Sequence, residues 1–184
     1  MSIRGMTLSG AVLALSLAAG LALAAAPQDF VKKAGVAGLY EVRAAELARD
    51  KAQSENVRAF ANMMLDDHRK ANEELRGLAK KRSWNMPSEM DSKHAKLVDR
   101  LSKLSGADFE REYAQQQLQA HEQAVALFKK EGDKGSDPDL KAWAAGKVPT
   151  LETHLKEAQA LRAGEGATRN GTVPGGTTAP DDRL

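Results

Sequence analysis

Three of the four histidines in this chain occupy positions where a helical pattern of apolar residues predicts a core-facing side chain. His68, His121 and His154 each continue a series of apolar residues spaced by alternating steps of four and three, which is the spacing of one helix face. A further series, made of small residues, is interrupted by one carboxylate, Glu41. Buried imidazole and carboxylate groups need hydrogen-bond partners or a bound cation. The four residues therefore predict a polar site inside a helical bundle.

The apolar series and the residues that bound them predict five helices, over about residues 29–50, 54–82, 91–104, 106–131 and 138–164. Ser54 is expected to cap the second helix and Asp137 the fifth, whereas Pro149 should kink or interrupt the fifth. The four polar residues fall near the middle of the four long helices. The midpoint of a helix lies at the same height in the bundle whether the helix points up or down. We therefore expect the four side chains to meet in one layer.

The composition favours an all-α fold, because aromatic residues make up only 4% of the chain and a sheet would need more of them. The third predicted helix spans roughly 20 Å, enough to carry the chain back along the bundle. Helices 2 and 4 would then run parallel. This topology is a ferritin-like four-helix bundle with a short crossover helix between helices 2 and 4.

The donor atoms at this site would be nitrogen and oxygen, since the chain contains no cysteine. No glutamate stands three residues before His68, His121 or His154, so the Glu-x-x-His pattern of carboxylate-bridged metal pairs is missing. Three imidazoles and one carboxylate suit a single zinc, iron, manganese or copper ion. Asp67 and Tyr113 are predicted to support these ligands. No glycine-rich phosphate loop is seen, and no organic cofactor is predicted.

The ends of the chain differ in composition from the predicted bundle. Residues 1–24 have the charged start, apolar core and small-x-small end of a cleaved export signal. Residues 25–163 would form the bundle, and residues 164–184, rich in Gly, Thr and Pro, a disordered tail. This organisation predicts a periplasmic protein, with an uncleaved N-terminal membrane anchor as the alternative.

The formal net charge of +2 gives no general attraction to polyanions. We therefore expect no nucleic-acid binding and no strong membrane binding once the signal is removed. Assembly of identical chains and the identity of any protein partner stay open.

Several segments resemble an exported bacterial family known as domain of unknown function 4142. The matching stretches include MMLDDHRKANEEL (63–75), AHEQAVALFKKE (120–131) and KVPTLETHL (147–155), and the resemblance covers about residues 29–161. It implies a ferritin-like bundle and a location in the cell envelope, and it implies no established activity.

Two functions follow from these patterns. The first is a metal-binding bundle that acts in metal handling or envelope stress. The second is a non-catalytic structural or interaction protein, in which the same residues form a buried hydrogen-bond network without a metal. An enzyme that uses an open metal position is a weaker third reading.

Overall fold

A computed structural model describes residues 27–164. These residues form five α-helices: α1 (Pro27–Lys51), α2 (Glu55–Arg82), α3 (Ser92–Ser102), α4 (Gly106–Lys134) and α5 (Pro138–Ala163). The prediction of an all-α fold is confirmed for this part of the chain. Within it, no helix combines the length and the apolar character needed to cross a bilayer. The predicted signal and most of the predicted tail lie outside the described residues.

The starts of the helices are stabilised partly by the predicted caps and partly by a long-range contact. Asp137 accepts a hydrogen bond from the backbone N–H of Leu140 at 2.9 Å, as an N-cap residue does. Ser54 stands at the N-cap of α2, but its side chain makes no capping hydrogen bond. Instead, Glu110 of α4 accepts from the backbone N–H groups of Gln53 and Ser54, at 2.8 and 2.7 Å. One carboxylate therefore ties the turn between α1 and α2 to α4.

Pro149 does not interrupt α5, which excludes one of the two outcomes that the sequence predicted; a kink there stays a prediction. The helix continues from Pro138 to Ala163 with Pro149 inside it. Proline removes one backbone donor, which leaves the carbonyl of Ala145 without its usual partner. Both residues are exposed, so water can satisfy that carbonyl. On the inner face, buried Leu151 and His154 hold the next turn in the core.

Contacts between the helices give their directions. Phe30 of α1 packs on Phe128 of α4, with ring centroids 5.1 Å apart, and Tyr40 reaches Gln116 nearer the start of α4. Thus α1 and α4 are antiparallel. Arg69 of α2 contacts Glu46 near the end of α1, and Asn72 lies against Gly38, so α1 and α2 are antiparallel too. Consequently α2 and α4 point the same way, and the connection containing α3 returns along the bundle.

The apolar core consists of two clusters at different heights. One includes Tyr40, Met64 and Tyr113, and the other includes Phe30 and Leu75. The positions of the three predicted histidines along α2, α4 and α5 fall between these clusters. The polar layer therefore lies between apolar packing above and below.

Candidate metal centre

His68, His121 and His154 lie together at the centre of the bundle. They come from α2, α4 and α5, and their ring centroids are separated by 5.7 Å (His68–His121), 5.5 Å (His68–His154) and 5.3 Å (His121–His154). One ring nitrogen from each lies within 4.8 Å of the other two. The rings thus form a nearly equilateral triangle around a common point.

Hydrogen bonds determine which nitrogen of two rings carries the proton. Nδ1 of His121 lies 2.9 Å from the carbonyl oxygen of Gln117, which can only accept, so Nδ1 is the donor. Nε2 of His154 lies 2.8 Å from the carboxylate of Asp67 and donates to it in the same way. The lone pairs of the neutral rings are then on Nε2 of His121 and Nδ1 of His154. This is the arrangement by which outer partners orient the histidines of metal sites.

Among the other four ring nitrogens, three are buried and have no hydrogen-bond partner within residues 27–164. They are Nε2 of His68, Nε2 of His121 and Nδ1 of His154. An unsatisfied buried polar atom costs free energy of about 1–3 kcal/mol. Nε2 of His121 and Nδ1 of His154 carry lone pairs, so neither offers a hydrogen to the other. With the proton of His68 on Nδ1, its Nε2 adds a third lone pair, and three such lone pairs match what a cation requires. The donor set therefore fits a divalent metal ion.

Burial also keeps two of the rings in the form that binds metals. It lowers the pKa of His68 well below the ordinary value, and the neighbouring His121 and His154 lower it further. Burial likewise lowers the pKa of His121, to about 4. Both imidazoles are consequently neutral at physiological pH, and neutral imidazole is the ligand form.

Glu41 does not lie where the sequence placed it, as a fourth member of this cluster. It is buried, but it lies outside the three-histidine group, and its Oε2 accepts a hydrogen bond from Nε2 of Gln117 at 2.8 Å. Burial raises the pKa of Glu41 to about 8, so the carboxyl group is protonated at neutral pH. Gln117 precedes His121 by one helical turn. Glu41 therefore lies about one helical turn away from the layer of the three histidines, in which the sequence had placed it.

The predicted supporting residues have different surroundings. Asp67 contacts His154, as described above. Tyr113 is fully buried and packs on Phe60 and Phe109, and its hydroxyl has no partner among the described residues, so no hydrogen bond joins it to the histidines. The sequence interpretation missed Gln117, which links Glu41 to His121. Its spacing of four residues before His121 puts it on the same helix face and could have identified it.

The chain belongs to the family described as domain of unknown function (DUF4142), whose sequence model matches residues 12–161. The resemblance seen in the sequence is thereby confirmed. No curated protein matches the chain significantly.

Solved structures with a similar fold cover most of the chain. A DUF305 fragment from Deinococcus radiodurans is 17% identical, with a TM-score of 0.66 over 74% of this chain and 95% of that one. CopM in the Cu(II)-bound form is 16% identical, with a TM-score of 0.65 over 76% and 97%. A DUF305 protein from Streptomyces coelicolor, described as secreted, is 18% identical, with a TM-score of 0.65 over 77% and 94%. At these identities the similarity is one of fold.

Proposed function

We propose that this member of the DUF4142 family binds one divalent transition-metal ion inside its helical bundle, with His68, His121 and His154 as ligands. The observation that carries the proposal is the convergence of three buried ring nitrogens that lack hydrogen-bond partners. A purely structural network is the less favoured alternative, because the described residues supply no hydrogen-bond partner to these three nitrogens. A bound cation would satisfy all of them at once.

Copper(II) is the ion that we propose for this site. Imidazole ligands suit zinc, copper, iron and nickel, whereas manganese prefers oxygen ligands. Among divalent ions of the first transition row, copper binds a given nitrogen site most tightly. The similar fold of CopM, which was solved with Cu(II) bound, supports this choice. Zinc should also bind the purified protein, since it accepts the same ligands.

The role that we propose is metal handling, in which the ion is taken up and released. Closed structural zinc sites have four protein ligands, whereas sites with three keep a position open. Here His68 and His154 line a cavity of about 560 Å³, so that one side of the site faces a space instead of packed side chains. Such an opening provides a route for exchange of the ion.

Other residues would support the ligands without binding the metal. Asp67 orients His154, and the backbone carbonyl of Gln117 orients His121. Glu41 in turn holds the side chain of Gln117, so we assign Glu41 a positioning role. Tyr113 would contribute packing above the site.

We further propose a ferritin-like bundle and export to the periplasm. The parallel directions of α2 and α4, joined through the segment that contains α3, support the ferritin-like topology. The charged start and apolar core of residues 1–24 support a cleaved signal. The secreted description of the Streptomyces coelicolor protein agrees with this location.

Metal analysis of protein purified from the periplasm without an affinity tag tests the proposal. We expect close to one copper or zinc ion per chain, and stoichiometric rebinding after a chelator has removed it. A His121→Ala variant should bind none at this site, whereas His94→Ala should bind normally. Wild-type protein that carries no metal, and that binds neither Cu²⁺ nor Zn²⁺ in a titration, would contradict the proposal.

A further inference from the structure

The cavity next to the histidines extends well beyond the space that one ion needs. Its volume is about 560 Å³, within the range of about 300–1,000 Å³ that is usual for small-molecule sites. Glu41 lines it near the histidines and Lys32 lines it nearer the start of α1. These two residues are nine positions apart on one helix, which corresponds to roughly 13 Å along the axis.

Small side chains on three facing helices leave this space open. Five alanines line the cavity: Ala34, Ala37, Ala71, Ala120 and Ala124. Larger apolar side chains complete the wall: Leu75, Leu127, Phe128, Trp143 and Leu151. Such a surface favours an alkyl chain or an aromatic ring, because burial of apolar area is the main source of affinity in cavities of this kind.

Most of the charged side chains along the cavity already have a partner of opposite charge or a hydrogen-bond partner. Lys147 pairs with Glu74 at 2.5 Å, and Asp67 pairs with His154. Asp91 caps α3 and contacts the ring of His94 at 2.7 Å. These groups already have partners, so they are less available to a ligand than the charged groups without one.

The charges that are left over lie on the first turns of α1. Lys32 and Lys33 are exposed, line the cavity, and form no ion pair within residues 27–164. Asp29 is the one lining carboxylate near them, so two cationic groups face one anionic group. This end of the cavity therefore carries more cationic than anionic groups, whereas the wall beyond it is mainly apolar, with Asn72 and Gln123 among its polar members.

We propose that this cavity binds an amphipathic anion whose apolar body lies between the helices and whose carboxylate is held by Lys32 and Lys33. A medium-chain fatty acid and an aromatic carboxylate with an alkyl substituent belong to this class. The ligand needs no metal for binding, because the lysines and the apolar wall are separate from the three ring nitrogens. Failure of metal binding would consequently leave this proposal intact.

Displacement of a fluorescent probe from the full-length chain, with and without a chelator, tests the proposal. Anilinonaphthalene sulfonate, which combines aromatic rings with an anionic group, should bind with a stoichiometry of one and increase in fluorescence. Decanoate should displace it, decanol should do so more weakly, and decylammonium should not. Equal displacement by decanoate and decylammonium would overturn the proposed role of the lysines, and absence of probe binding would overturn the site.

Matched variants locate the ligand. Ala124→Phe fills the cavity and should abolish binding of decanoate and decanol, whereas Ala126→Phe, at an exposed position on the same helix, should leave both unchanged. The double variant Lys32→Gln/Lys33→Gln should weaken decanoate binding by about 5- to 30-fold, since each of the two exposed charges contributes up to about 1 kcal/mol, and should leave decanol binding unchanged. Lys96→Gln is its control. Circular dichroism establishes that each variant is folded, and a folded Ala124→Phe protein that still binds decanoate would refute the site.

Discussion

The carboxylate of Asp67 and the imidazole of His154 meet at 2.8 Å across the interface between α2 and α5, although 87 positions separate them in the chain. Asp67 directly precedes His68, so two adjacent residues of α2 have different roles in the histidine cluster. His68 presents a ring nitrogen to the centre, and Asp67 fixes the ring of a second histidine from behind. This pairing leads to specific predictions about the site.

Replacing Asp67 by alanine should weaken metal binding while leaving the ligands in place. The His154 ring would lose the group that fixes its tautomer, and loss of such an outer partner typically costs about 10- to 100-fold in affinity. Isothermal titration with Zn²⁺ or Cu²⁺ measures the change. Asp66→Ala is the matched control, because Asp66 is exposed and makes no described contact with the cluster. Equal affinities for the two variants would contradict the role of Asp67.

Metal should raise the melting temperature of the wild-type protein through the three histidines. A ligand bound only by the native state at 100 times its dissociation constant adds about 2.7 kcal/mol to the free energy of unfolding. His68→Ala and His121→Ala should abolish this increase. His94→Ala should retain it, since His94 of α3 contacts Asp91 and Tyr40 and lies outside the three-histidine group. An increase that survives both core substitutions would place the metal elsewhere.

Glu41→Gln should remove a loss of stability that the wild type suffers as the pH rises from about 4.5 to about 8. The pKa of Glu41 is raised from 4.5 to about 8 in the folded protein, so the stability it contributes is fully present below pH 4.5 and is lost as pH rises through about 8. Between these values the free energy of unfolding should fall by about 1.4 kcal/mol per pH unit relative to the variant. Urea denaturation at several pH values measures this difference.

The wild type and Glu41→Gln contain the same histidines, so the effect of histidine titration cancels in the difference between their free energies of unfolding. Glu122→Gln, an exposed substitution on α4, should show the wild-type pH dependence. Metal affinity at neutral pH should be nearly unchanged in Glu41→Gln, because glutamine can still accept the hydrogen bond from Gln117. If metal binding is lost instead, Glu41 is a ligand, as the sequence pattern first suggested.

Glu110 should matter more than Ser54 at the start of α2. Glu110→Ala leaves two backbone N–H groups without their acceptor and should destabilise the protein by about 1–2 kcal/mol, because hydrogen bonds to charged groups are stronger than average. Ser54→Ala should change the free energy of unfolding by less than about 0.5 kcal/mol, since its hydroxyl makes no capping bond. Thermal or urea denaturation compares the two. A larger effect of Ser54→Ala would restore the ordinary capping interpretation.

Local patterns in the sequence were sufficient to predict the helices and the inward direction of the three histidines. The period of 3.6 residues determines which face of each helix is apolar, and a histidine on that face must point into the core. The ends of α5 were predicted closely because its cap residue Asp137 and the glycine at its C-cap act within one turn. The start of α2 was also predicted closely, although Glu110 of α4 and not the Ser54 hydroxyl binds the backbone there. Local patterns left open whether Pro149 interrupts α5, since that depends on how much of its turn is exposed to water.

Only the tertiary structure decided which polar groups touch. Glu41 and His121 both face the core, yet a shift of one turn between α1 and α4 puts Glu41 on Gln117 instead of in the triangle of rings. The pairing of Asp67 with His154 and the cavity beside them have the same origin. Periodicity describes rotation about one helix axis, and it contains no information on the relative height of two helices or on the gap between them. Those quantities are set by how side chains of different size pack across the interface.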